Sequence, residues 1–159
     1  MVSYKFSLTE AVRQGSARQK AERLQEAMQN VPQVDCPVRE YFAPGLYARE
    51  ITLPAGTVLV GAVHKVENLA VLSKGRLILA TDNGPVEISA PYTLTVKPGA
   101  KNAATALEES VWTNFLPNPT DETDPEKLVE MFTESKACEL LGGSQNAQLL
   151  ANKSMELEA

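Results

Sequence analysis

Histidine occurs once in this chain of 159 residues, at His64. That count excludes a multi-histidine metal site and a pair of proton-shuttling histidines. Any Ser/His/acid or Cys/His arrangement would have to use His64. Cysteine occurs twice, at Cys36 and Cys138, with no CxxC pair. A zinc ribbon is therefore excluded, and two free thiols in a reducing compartment are the expectation. Neither cysteine lies in a recognisable nucleophile setting, so covalent catalysis is not expected. No stretch approaches the roughly 20 apolar residues of a membrane span. The N-terminal Met1-Val2-Ser3-Tyr4-Lys5-Phe6 lacks the apolar run of a secretory signal. Cations are in deficit, with 15 Lys and Arg against 20 Asp and Glu and a net charge of −5. A general nucleic-acid binder needs the opposite balance to displace phosphate counterions.

What is present is a soluble composition, 43% hydrophobic and 22% charged, of a size for one domain. The charge is graded along the chain. Residues 1–31 carry five basic and three acidic side chains, residues 32–117 seven and eight, and residues 118–159 three and nine.

The head, 1–31, reads as a helix. Ser7-Leu8-Thr9-Glu10 fits a capping box, in which hydroxyl and carboxylate satisfy free backbone N–H groups reciprocally. Leu8, Ala11, Val12, Gly15, Ala21, Leu24, Met28 and Val31 recur at mostly three- and four-residue steps. The stripe is thin, so this helix needs a surface to pack on. Pro32 stops it.

The middle, 32–118, reads as short strands divided by turn signals. Leu46–Leu53 ends at Pro54-Ala55-Gly56. Thr57–Val60, Leu69–Leu72 and Arg76–Thr81 follow, and the last meets Asp82-Asn83-Gly84, a hairpin signal. Val86–Ile88, Tyr92–Val96, a Lys97-Pro98-Gly99 turn and Val111–Leu116 complete the set. Short strands at this spacing indicate a sandwich or small barrel, and no helical pattern interrupts them to make a parallel sheet. Trp112 and Phe115 are expected in its core.

The segment 119–143 reads as a second helix. Thr123 or Asp124 caps it, Pro125 suits its first position, and Glu126 suits its positive end. Leu128, Val129, Phe132 and Leu140 give an apolar face, and Gly142-Gly143 ends it. Residues 144–159 are a polar tail.

The segment from Gly45 to Phe115 resembles a cupin, a small jelly-roll barrel. The family's first motif runs Gly, five residues, His-x-His, three or four residues, Glu, six residues, Gly. Gly56 and Gly75 open and close it here, placing Ala62 and His64 at the two His positions and Asn68 at the Glu position. The second motif's turn matches Lys97-Pro98-Gly99 in shifted form, with Asn102 where its His would stand. The resemblance implies a mainly β fold: one cupin-like jelly-roll barrel flanked by an N-terminal and a C-terminal α-helix. It also places His64, Asn68 and Asn102 inside that barrel, with Glu67 entering if the turn slips by one residue. The metal motif is degenerate. Ala62 donates nothing and two Asn carbonyls are weak neutral ligands, so neither a metal nor another cofactor is expected. His64 is expected to hydrogen-bond Asn68 or backbone.

A finer similarity lies in Phe42-Ala43-Pro44-Gly45-Leu46-Tyr47-Ala48-Arg49-Glu50-Ile51, His64-Lys65 and Leu72-Ser73-Lys74-Gly75. These resemble the small cupin-like proteins encoded by bacteriophages. The resemblance implies an accessory or virion-associated protein of the host cytoplasm or virion, without a known reaction. Three functions follow as expectations. The first is a non-enzymatic structural or assembly component, homo-oligomeric or bound to virion or host proteins. The second is a binder of a sugar- or nucleotide-like small molecule in the barrel interior, with Arg49, Lys65, Lys74, Arg76, Lys97 and Lys101 as the barrel's cations. The third is a metal-dependent isomerase or dioxygenase. Tyr41, Phe42 and Tyr47, clustered where the first strand begins, are expected to anchor a subunit interface, because aromatic residues dominate interface cores.

Overall fold

The structure is a computed structural model that describes residues 15–29 and 31–134. Helix α1 (Ala17–Met28) precedes nine strands: β1 (Val38–Ala43), β2 (Gly45–Leu53), β3 (Val58–Val63), β4 (Asn68–Lys74), β5 (Arg76–Thr81), β6 (Gly84–Ser89), β7 (Tyr92–Val96), β8 (Lys101–Ala106) and β9 (Ser110–Asn118). Helix α2 (Pro125–Phe132) follows them. The strands form two sheets in the orders β1-β2-β9-β4-β7 and β3-β8-β5-β6, with every pairing antiparallel. Side chains alternate across each strand. Ile51, Leu53, Ala70, Leu72 and Trp112 of the first sheet therefore face Leu77, Ile88 and Ala106 of the second, with Cys36 and Val96 in the same core. This is the expected mainly β jelly roll with a helix at each end.

Two strands lie outside the sequence expectation. β1 is exposed along nearly its whole length, so it has no apolar alternation, and backbone pairing to β2 holds it in place. β8, Lys-Asn-Ala-Ala-Thr-Ala, lacks β-branched residues apart from Thr105. Its small side chains fit between the barrel interior and α1, which lies across β8, β3 and β5.

Helix α1 has its own start inside the stretch that reads as one helix. Ser16 is its N-cap in a capping box with Gln19, and Gly15, placed on the helical stripe by spacing, precedes that cap at φ +105°. The Ser7-Leu8-Thr9-Glu10 box lies outside the described residues. The helix is tied down at long range, because the Ala17 N–H donates to Asp82 Oδ1 at 2.6 Å. Asp82 stands at the tip of the β5–β6 hairpin, so its carboxylate meets the positive helix end. Ala21 is the contact residue, 1% exposed, and α1 also buries Lys101 and Ala103 of β8. Ala103 stands on the face of β8 turned away from Ala104, which faces the barrel interior.

Helix α2 is shorter than expected. Asp124 caps it through Glu126 N–H at 3.0 Å, and it ends at Phe132 because Thr133 is extended. Thr133 then bridges His64, flanked by Lys65 N–H to Phe132 O and Glu134 N–H to Val63 O, both 2.9 Å. Leu140 and Gly142-Gly143 lie outside the described residues. Leu128 and Phe132 pack on Tyr47 and Leu116 as a second apolar cluster at the end of the barrel.

Candidate functional site

The two motif segments meet at His64. Its N–H donates to Ala100 O at 3.0 Å, and its carbonyl accepts from Gly99 N–H at 2.8 Å, so the Lys97-Pro98-Gly99 turn locks the histidine backbone. Gly75, which closes the first motif, has φ +87°, and a Cβ there would collide with Ser110 Oγ and meet Glu109 O at 2.5 Å. That position requires glycine on both counts.

From His64 a polar chain crosses the barrel wall. Trp112 Nε1–H donates to Asn114 Oδ1 at 3.0 Å, Asn114 Nδ2 donates to Asn68 Oδ1 at 2.8 Å, and Asn68 Nδ2 lies 3.3 Å from His64 Nδ1. An indole can only donate, which fixes the direction of every link. His64 Nδ1 must accept, so the neutral ring carries its proton on Nε2. Burial, and then the positive charge of Arg49, hold the imidazole below its ordinary pKa and favour that neutral form. The expected partner of His64, Asn68, is thus the observed one.

Between the sheets lies a cavity of about 140 Å³. Inward positions of β2 recur at every second residue, so Tyr47, Arg49, Ile51 and Leu53 all line it. Asn114 stands opposite Arg49 in the β2–β9 register. Ala62, His64 and Asn102 close the polar side, Leu59, Leu77 and Leu79 the apolar side, and Leu128, Val129 and Phe132 of α2 form one end. No Asp or Glu lines this cavity among the described residues. Every fully buried side-chain N or O has a partner among them, and His64 and Arg49, both part-buried, stand on the cavity wall.

The expected site residues divide accordingly. His64 and Asn102 line the cavity, and Asn68 is buried behind it as the link between Asn114 and His64. Glu67 does not enter. Its neighbour Asn68 takes the inward position, and Glu67 faces solvent paired with Lys97 Nζ. Tyr47 likewise departs from its expected interface role. It is 4% exposed, stacks on Phe132 at 5.8 Å and donates from its hydroxyl to Glu40 Oε1 at 2.7 Å. Burial and that carboxylate hold its phenol well above its ordinary range. Tyr41 and Phe42 remain exposed at 48% and 45%. Phe115, expected in the core, turns outward because β9 presents Trp112, Asn114 and Leu116 to the interior.

Of the six barrel cations expected as candidates for a ligand's charge, only Arg49 lines the cavity, and its place in the inward row, like that of Asn114, was missed. The signal was in the sequence. An arginine sits in the period-2 row Tyr47, Arg49, Ile51, Leu53, where the other members are apolar or aromatic.

The residues present do not fit a metal ion. Ala62 supplies no donor, His64 Nδ1 is spent on Asn68, Asn102 is neutral and Glu67 points away. Among the described residues no group of three or more His, Cys, Asp or Glu could hold an ion.

No protein-family model and no curated sequence matches this chain. Solved structures similar to it include an RmlC-like cupin from Shewanella frigidimarina at 18% identity and TM-score 0.44, covering 53% of this chain and 78% of that one. A cupin superfamily protein from Desulfitobacterium hafniense matches at 8% identity and TM-score 0.46, covering 55% and 82%. KdgF from a Halomonas species matches at 17% identity and TM-score 0.42, covering 49% and 75%. The two antiparallel sheets, in the orders given above, make the chain a β jelly roll.

Proposed function

We propose that this cupin-like chain works by binding, holding a small molecule inside its barrel without transforming it. The observation that carries the reading is the cavity itself. A barrel with only a structural role can fill its interior with aliphatic side chains. Here about 140 Å³ is left open beside an arginine, a histidine and two asparagines. Pockets of this kind, mostly apolar with a few convergent polar groups, suit ligand binding. Catalysis is poorly supported by the same residues. His64 is the one imidazole, its Nδ1 is engaged, and among the described residues no carboxylate lines the cavity to share acid–base work. An engineered apolar cavity of about 150 Å³ holds one benzene, so the ligand is ring-sized and smaller than a nucleotide. A fragment screen by NMR on the full chain tests this. Perturbation of the Trp112 indole and Ala104 methyl signals by ring-sized fragments is expected. A screen in which no fragment moves them would overturn the reading.

A specific observation favours assembly as a second role. On the outer face of the five-stranded sheet, Tyr41, Ala48, Phe115 and Leu69 form one continuous cross-strand row, with Leu69 50% exposed. Self-association of a phage-type accessory or virion protein through this face, in the host cytoplasm or the virion, would cover it. A Tyr41→Glu variant that runs at the same mass as the parent by light scattering would count against it.

A further inference from the structure

We infer that the ligand of the barrel cavity is a small organic anion with an apolar body, a monocarboxylate of ring size, whose carboxylate is held by Arg49. This inference rests on the binding reading above and names the ligand's chemistry.

Arg49 is the one cation among the cavity's lining residues. It lies between Tyr47 and Ile51 on the inward row of β2, the strand next to the edge of a five-stranded sheet. Arg49 is part-buried, and a charge drawn even partly out of water gains from an opposite charge placed beside it. Among the described residues no carboxylate forms an ion pair with Arg49. Its cross-strand neighbour on β1 is Glu40, but that side chain accepts from the Tyr47 hydroxyl and lies outside the cavity lining. The opposite neighbour on β9 is Asn114, a neutral residue whose two polar atoms are already committed to Trp112 and Asn68. Arg49 thus stands on the cavity wall with no ion pair among the described residues.

The other polar groups agree in sign. The hydrogen-bond chain from Trp112 leaves His64 with Nε2–H as a donor, and its ring lines the same cavity. Burial first, and then the positive charge of Arg49, hold the His64 pKa down. Two donor-bearing residues, one of them charged, line a space with no acid among the described residues on its walls, and charge-assisted hydrogen bonds from arginine to a carboxylate are among the strong ones. The remaining walls are Ile51, Leu53, Leu59, Leu77 and Leu79, which ask for an apolar body. A phosphate would leave those walls unfilled, and a dicarboxylate would leave its second charge among leucines.

Benzoate, benzyl alcohol and benzylamine have nearly the same shape and differ in charge. Titration of each into the full chain, followed by NMR and calorimetry, tests the inference. Benzoate should bind at least about tenfold more tightly than benzyl alcohol, and benzylamine should not bind. Arg49→Met should erase the preference for benzoate yet retain benzyl alcohol, which reports that the variant cavity is intact. Arg49→Lys should retain part of the preference, so a misfolded methionine variant would not decide the matter alone. Equal binding of benzoate and benzyl alcohol by the parent protein overturns the anion assignment but leaves the binding reading standing. Binding of none of the three overturns both.

Discussion

Helix α2 holds one end of the cavity closed, and Phe132 is its main anchor. The ring is 5% exposed and stacks on Tyr47 with centroids 5.8 Å apart and planes 12° from parallel. An eight-residue helix has no stability of its own, so its order depends on Leu128, Phe132 and the hydrogen bonds from Lys65 N–H to Phe132 O and from Glu134 N–H to Val63 O. Truncation of a buried phenylalanine costs about 3–5 kcal/mol where the surroundings must stay in place. Here they need not. Helix α2 can detach, so the global loss in Phe132→Ala is capped at the free energy of docking α2. The expected result is a modest fall in unfolding midpoint, on the order of 2 kcal/mol, with a much larger local effect. Hydrogen exchange should show α2 amides losing most of their protection while β4 and β9 amides keep theirs. Fragment binding in the cavity should weaken in parallel, because one wall is gone. If α2 and β9 amides lost protection together, the helix would be part of the barrel's cooperative core and the argument would fail.

Other outcomes follow from single positions. Gly75→Ala should destabilise by several kcal/mol, since its Cβ would strike backbone at 2.5 Å in a positive-φ conformation, whereas Gly45→Ala, at φ +73° with open space around it, should cost only about 1 kcal/mol; equal midpoints in urea would refute the steric argument. Asn68→Ala leaves Asn114 Nδ2 and His64 Nδ1 without partners and should cost about 1–3 kcal/mol, read by the same denaturation. His64 gives a pH dependence. Its folded pKa lies below the ordinary 6.5, so the unfolded chain takes up that proton first. Its contribution is complete above about pH 6.5 and is lost as pH falls toward the folded value, with a slope of at most about 1.4 kcal/mol per pH unit. A His64→Gln variant should lack that part of the slope below pH 6.5, and a parent slope of the opposite sign would contradict the burial of a neutral imidazole.

Much of the barrel was legible in the sequence, because period-2 rows such as Tyr47-x-Arg49-x-Ile51-x-Leu53 and turn residues such as Gly75 and Pro98-Gly99 act locally. β1 and β8 were not legible. The first is fixed by backbone pairing at a sheet edge, and the second by the fit of small side chains between cavity and α1, and both causes are tertiary. Helix ends erred for the same reason. Gly15 and Leu140 continue the helical spacing, but α1 begins where Asp82 of a distant hairpin meets its first turn, and α2 stops where Thr133 pairs with His64. At the site, His64 and its bond to Asn68 followed from motif spacing. The inward turn of Asn68 over Glu67, and of Tyr47 over Tyr41, depended on a register that one residue of slip would reverse.

The central claim is that the barrel interior is an open binding site, and Ala104→Leu tests it most directly. Ala104 lines the cavity from β8, and leucine there adds three carbon atoms to the space a ligand would occupy. The account predicts a folded variant with an unfolding midpoint equal to or above that of the parent, in which benzoate no longer perturbs the Trp112 indole signal. A loss of about 1–3 kcal/mol from overpacking, with benzoate binding unchanged, would show that the interior is closed and that the ligand, if any, binds elsewhere.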